Sequence, residues 1–220
     1  MGEVDGEIER RGHCFARYAD DFLVMVDGPL KAKRVMASLS RFVEGHLKLV
    51  VNRAKSKVAP LQQCAFLGFQ IGQRGKVVWT AKALARFQRR VKEITSRNRG
   101  VPVQDVIREL RRFILGWLNY FGISYTPTRV KELAEWVRRR VRMYYWKQWK
   151  RPGTRWRHLL ALGIPREEIR MATRSRKGYW RMSGNSIVQR ALTNRWLHEQ
   201  GVPDMHHLWC ALHYGQKALV

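Results

Sequence analysis

The sequence predicts an α+β opening followed by an all-α body, and three observations lead there. Two short apolar runs, residues 13–18 and 22–26, flank a tight acidic turn near the start. From about residue 81 the apolar positions recur at steps of three and four. The charge also changes along the chain: residues 1–50 carry 8 basic and 8 acidic side chains, and residues 51–100 carry 12 against 1.

The elements follow in order. The two runs read as strands, and Asp27-Gly28-Pro29 ends the second, with Pro29 suited to the first turn of a helix. Leu30, Met36, Leu39, Phe42, Val43 and Leu47 then keep roughly helical spacing to about residue 48. Short β segments are expected around residues 50–51 and 64–71. Gln73-Arg74-Gly75-Lys76 reads as a turn, and residues 77–79 as the returning strand of a hairpin. The next helix sets Leu84, Phe87, Val91 and Ile94 inward, with Lys82, Arg86, Arg89, Arg90 and Lys92 outward. A longer one runs Val103, Val106, Ile107, Leu110, Phe113, Ile114, Trp117, Leu118, Phe121, with Arg108, Arg111 and Arg112 on its other face. A third, after Pro127, carries Val130, Leu133, Val137 and Val141 and ends in Tyr144-Tyr145-Trp146. The connections over 97–102 and 124–127 are short, as between packed helices. Gly163, Pro165, Gly178, Gly184, Gly201 and Pro203 break the tail into shorter helices. Boundaries near 80 and 152 divide the chain into segments 1–80, 81–152 and 153–220.

Composition narrows the function. The 220 residues carry 43 Lys and Arg against 17 Asp and Glu, a formal net charge of +26. That balance favours a polyanionic partner, nucleic acid before an anionic membrane. No apolar run approaches the ~20 residues that span a bilayer. The first seven residues are acidic and lack the apolar core of a secretory signal. Cys14, Cys64 and Cys210 lie far apart, which excludes a disulfide scaffold and a four-cysteine zinc module. Reduced thiols and a cytoplasmic setting are the expectation.

Tyr18-Ala19-Asp20-Asp21 occupies the first turn. Adjacent carboxylates at a hairpin tip repel, and a hard divalent cation resolves the conflict. Two such ions can support phosphoryl transfer. The competing reading is plain turn chemistry, since Asp tolerates tight bends.

Arg17-Tyr18-Ala19-Asp20-Asp21-Phe22 resembles the YADD motif of reverse transcriptases. Leu47-Lys48-Leu49-Val50-Val51-Asn52-Arg53-Ala54-Lys55-Ser56-Lys57 and Phe66-Leu67-Gly68-Phe69 resemble that family's next two palm motifs, in the right order. Gly116-Trp117-Leu118-Asn119-Tyr120-Phe121, the run from Arg139 to Lys150, Leu162-Gly163-Ile164-Pro165 and Arg176-Lys177-Gly178-Tyr179-Trp180-Arg181 are similar to the maturase region of bacterial group II intron proteins. The resemblance implies a partial palm over 1–80, an antiparallel sheet with a helix. It implies a helical thumb (maturase, X) domain over 81–152 and a maturase tail over 153–220.

By the same resemblance, Asp20 and Asp21 are catalytic metal ligands for Mg²⁺, with Mn²⁺ an alternative. Tyr18 and Ala19 would lie beside primer end and nucleotide, Lys55 would face nucleotide phosphates, and Gly68 would let backbone approach the primer. Asn52 and Lys55 also suit turn chemistry and solvent, and Gly68 a bulge.

The family places fingers and another metal-binding aspartate ahead of YADD. Here only Glu3, Asp5, Glu7 and Glu9 precede Tyr18, at positions matching the helix that leads into the strand. The expectation is that the chain alone does not polymerise DNA. Its activity would be RNA-directed DNA synthesis once the palm is completed, with RNA template, DNA primer and dNTP as substrates and an N-terminal fragment as a candidate supplier of fingers. The alternatives are a non-catalytic RNA-binding maturase that aids splicing, one half of a split polymerase, and an inactive remnant.

The thumb likeness implies contact with intron RNA, and with it a ribonucleoprotein or nucleoid location. Lys82, Arg86, Arg89, Arg90, Arg108, Arg111, Arg112, Arg139, Arg142, Lys147 and Lys150 are the candidate contacts, since arginine forks onto phosphate and aromatics stack on unpaired bases. Trp117 reads as core; Trp149, between Lys147 and Lys150, suits either core or stacking. His206, His207, Cys210 and His213 have spacings that suit one zinc or ordinary packing.

Overall fold

In the computed structural model, which describes residues 2–215, the chain forms two compact units, Met1–Thr80 and Ala81–Val220. The first opens with helix α1 (Gly2–Arg10), strands β1 (Cys14–Tyr18) and β2 (Asp21–Met25), and helix α2 (Pro29–Gly45). β1 and β2 pair antiparallel, with Phe15 opposite Val24 and Tyr18 opposite Asp21. Strand side chains alternate between faces. Phe15 and Val24 therefore share one face, and they pack against Val4 and Ile8 of α1 and Leu39 and Val43 of α2. Fully burying an aliphatic side chain such as Ile8 contributes about 1.5–3 kcal/mol. Arg17 lies on the same face, where its guanidinium meets Asp5 of α1 at 2.7 Å. Arg11 joins the two helices by donating to Ser38 Oγ at 2.7 Å. The helix pair is thus a platform under the hairpin.

A second antiparallel sheet has three strands, β3 (Ala65–Phe66), β4 (Phe69–Ile71) and β5 (Val77–Trp79), in that order. The segment over 64–71 is two strands because Leu67 and Gly68 take φ of +53° and +84°. Two left-handed residues make the tight turn whose twist matches a hairpin. No strand forms at residues 50–51, which corrects the expectation. Val51 turns toward the α1–α2 core while Val50 stays 93% exposed, and no neighbouring strand pairs with them. β-branched residues favour strands only where a partner surface exists.

The second unit is helical throughout its described residues: α3 (Ala81–Ile94), α4 (Val103–Phe121), α5 (Pro127–Gln148), α6 (Pro152–Ala161), α7 (Arg166–Thr173), α8 (Tyr179–Ser183), α9 (Ser186–Ala191), α10 (Asn194–Glu199) and α11 (Met205–Tyr214). The apolar stripes of α3, α4 and α5 are its core, with Val91, Leu110, Ile114, Val130 and Val141 fully buried. Trp117 belongs to that core; its ring lies 4.6 Å from Phe87. α11 closes over the end of α4, where the Trp209 indole donates to the Ser124 carbonyl at 2.9 Å. The architecture is α+β, small antiparallel sheets with helices, followed by a helical region.

Candidate functional site

The acidic turn has only two residues between the strands, Ala19 and Asp20. Ala19 sits at φ +54°, a conformation that costs an L-residue about 1–2 kcal/mol. Arg17 Nη1 donates to the Ala19 carbonyl at 3.3 Å and braces the bend. Alternation puts Tyr18 and Asp21 side by side on the face turned away from the core. Tyr18 is 64% exposed, and both aspartates are exposed.

These carboxylates suit Mg²⁺, which takes one or two of them and completes its shell with water and substrate phosphates. Among the described residues no group of three or more His, Cys, Asp or Glu converges as a metal site. Two of the acids upstream have other partners. Asp5 holds Arg17, and Glu7 holds Arg10 and Arg11, whose bonds keep its carboxyl down at about 2 from an ordinary 4.5.

The other palm candidates take part in local turns. Asn52 makes an Asx turn: its side-chain oxygen accepts the Lys55 N–H at 3.2 Å, and its carbonyl accepts that of Ser56 at 2.9 Å. The Lys55 side chain is exposed, with no hydrogen bond to Asp20 or Asp21 among the described residues. Gly68 serves the second hairpin, where its carbonyl accepts the Thr80 N–H at 2.9 Å.

In the second unit, amphipathic spacing buries Phe87 and Val91 of α3 and leaves Lys82, Arg86, Arg89 and Lys92 outside. Arg90 faces Glu93 and Glu109 at 3.1 and 3.0 Å. On α4, Arg112 is exposed, Arg108 pairs with Asp105, and Arg111 Nη1 donates to the Gly201 carbonyl at 3.4 Å. Arg139 lies 4.1 Å over the Trp180 ring. Lys147 is half-buried and Lys150 exposed.

Arg142 is a correction to the candidate list. It is 92% buried, and it donates at 2.8 Å both to the Leu192 carbonyl and to Asn194 Oδ1. Burial, with Arg138 repelling it, pulls its guanidinium down to about 10. This arginine holds α5 to the α9–α10 connection. Arg140, not singled out by the sequence, does similar work through Thr95 Oγ1 at 2.8 Å. Both arginines lie in one dense basic run, which periodicity alone does not sort into inner and outer members.

The His-Cys cluster of α11 resolves into packing. A carbonyl can only accept, so His213 Nε2 donates its proton to the Gly122 oxygen at 2.7 Å. Its ring lies 4.1 Å from Trp209. Cys210 Sγ lies 3.8 Å from the His206 ring, and His207 is exposed.

Among the described residues no helix is long and apolar enough to cross a membrane. No curated protein matches the chain. Residues 1–71 match the reverse transcriptase (RNA-dependent DNA polymerase) family, and residues 84–162 match the group II intron, maturase-specific domain. The acidic hairpin lies within the first match, and the basic faces of α4 and of α3 from Arg86 onward lie within the second. Both matches, in this order, fit a partial group II intron reverse transcriptase/maturase.

Proposed function

We propose that this protein binds its intron RNA through the basic helices of the second unit, and that Asp20 and Asp21 are its contribution to RNA-directed DNA synthesis. In this reading residues 1–80 are palm, 81–152 thumb and 153–220 the maturase tail. The observation that carries it is the outer face of α3 and α4. Lys82, Arg86 and Arg112 stand exposed there with no acidic partner among the described residues. A solvated face normally mixes signs, whereas a phosphate-binding face does not.

At the hairpin tip, Asp20 and Asp21 would hold Mg²⁺, which when bound would neutralise phosphate charge beside them. Tyr18 offers an exposed ring to a base or sugar next to that point. Lys55 supplies a mobile cation for phosphates, and Gly68 a backbone free of side chain. RNA binding is the activity this reading assigns to the second unit.

The test is a triple variant, Lys82→Gln, Arg86→Gln and Arg112→Gln, in an RNA-binding titration across salt. Each phosphate contact contributes about 0.7–0.9 to the slope of log affinity against log salt. The variant should therefore lower the slope by roughly 2. An unchanged slope would remove these helices from the interface.

A further inference from the structure

The ends of α4 and α5, together with α6 and α10, enclose a cleft of about 440 Å³. That size lies within the range of small-ligand sites. Its inner wall is aromatic. Tyr145 and Trp149 are each 95% buried, and the half-exposed Trp196 ring stands 5.1 Å from Tyr145. His158 lies parallel to Trp149 at 4.6 Å. The rim carries side-chain amides, Gln104, Gln148 and Gln200, and no acid is among the lining residues. Gln104 Nε2 reaches Gln200 Oε1 at only 3.4 Å, so these amides are weakly committed to each other.

The Tyr145 hydroxyl is buried in this wall, with no hydrogen bond of ordinary geometry among the described residues. Burial pushes the phenol up to about 12, and the nearby Gln104 amide tempers the shift without a bond of ordinary geometry. The group is therefore a protonated donor, and the Gln104 amide is its neighbour in the wall. A ligand with a ring acceptor would take a hydrogen bond from this hydroxyl.

We propose that this cleft receives an unpaired base of RNA, stacked against the aromatic wall and bonded by the Tyr145 hydroxyl and the rim amides. Amides both donate and accept, as the edges of bases do, and unpaired bases stack on aromatic side chains. A charge of +26, with exposed Lys150, Arg157 and Arg195 adjoining the lining residues in sequence, suits a ligand carried on phosphates. The inference rests on RNA binding by this unit and adds to it a place that reads bases rather than phosphates.

The experiment titrates the full chain with a short unstructured oligoribonucleotide and with an abasic oligomer of equal length. The base-bearing oligomer should bind about tenfold tighter or better. Trp196→Ala should erase that preference. Tyr145→Phe, which keeps the ring, should reduce it about fivefold. Both variants should keep wild-type affinity for the abasic oligomer and the wild-type salt dependence. Equal binding of the two oligomers by wild type would overturn the cleft assignment while leaving phosphate binding intact. Failure of both to bind would instead defeat the underlying RNA-binding reading. Displacement of bound RNA by phenylalanine amide in preference to adenosine monophosphate would assign the cleft to a peptide and overturn the proposal.

Discussion

Glu7 and Arg142 show how single charged groups in this very basic chain are committed to structure. Hydrogen bonds from Arg10 and Arg11 hold the Glu7 carboxyl at about 2 in the folded chain, against an ordinary value of 4.5. The folded value is the lower one, so this stabilisation is complete above the ordinary value and fades as pH falls toward 2. Glu7→Gln should therefore flatten the acid limb of a stability-versus-pH curve between 4.5 and 2. An acid limb identical to wild type would contradict the assignment. Arg142 is tested differently. Arg142→Leu leaves the Leu192 carbonyl and Asn194 short of a charged donor and should cost about 2 kcal/mol in denaturant unfolding. Its RNA affinity should keep the wild-type salt slope, because the residue is buried. A smaller slope with unchanged stability would return Arg142 to the RNA-binding set.

At the scale of elements, helices and caps depend on neighbours close in sequence, while strands depend on partners that are distant. The stripes of α3, α4 and α5 could be read directly, and α4 begins and ends at Val103 and Phe121 as its apolar pattern does. The hairpin around Ala19-Asp20 was legible for the same reason, since both strands and their turn are contiguous. Residues 50–51 misled because valine pairs read as strand whether or not a neighbour exists, and here Lys48 at φ +54° redirects the chain. The docking of α11 onto α4 was not legible at all. It requires Gly122, where an added Cβ would lie 2.7 Å from Leu212 Cδ1 and would also strike the Leu118 carbonyl. Gly122→Ala should destabilise the second unit by about 1–3 kcal/mol in thermal or denaturant unfolding. Wild-type stability would mean that α11 yields without cost.

For the whole molecule, the change of charge along the chain was plainer in the sequence than the details of either site. Acids and bases balance over residues 1–50 and separate sharply afterwards, and the chain divides into compact units at Thr80 and Ala81. Asp20 and Asp21 stand out because adjacent carboxylates at a turn form a local pattern. The cleft bounded by Tyr145, Trp149 and Trp196 does not, because α5, α6 and α10 meet only after folding. Likewise, separating exposed Lys82 and Arg86 from buried Arg142 required the packed helices.

RNA affinity as a function of salt tests the proposed phosphate contacts of these helices together, and it does so without any variant. Making 6–10 such contacts should weaken binding by about 10³-fold or more between 50 and 200 mM salt. An affinity that stays level over that interval would contradict an interface built on the cations of the second unit.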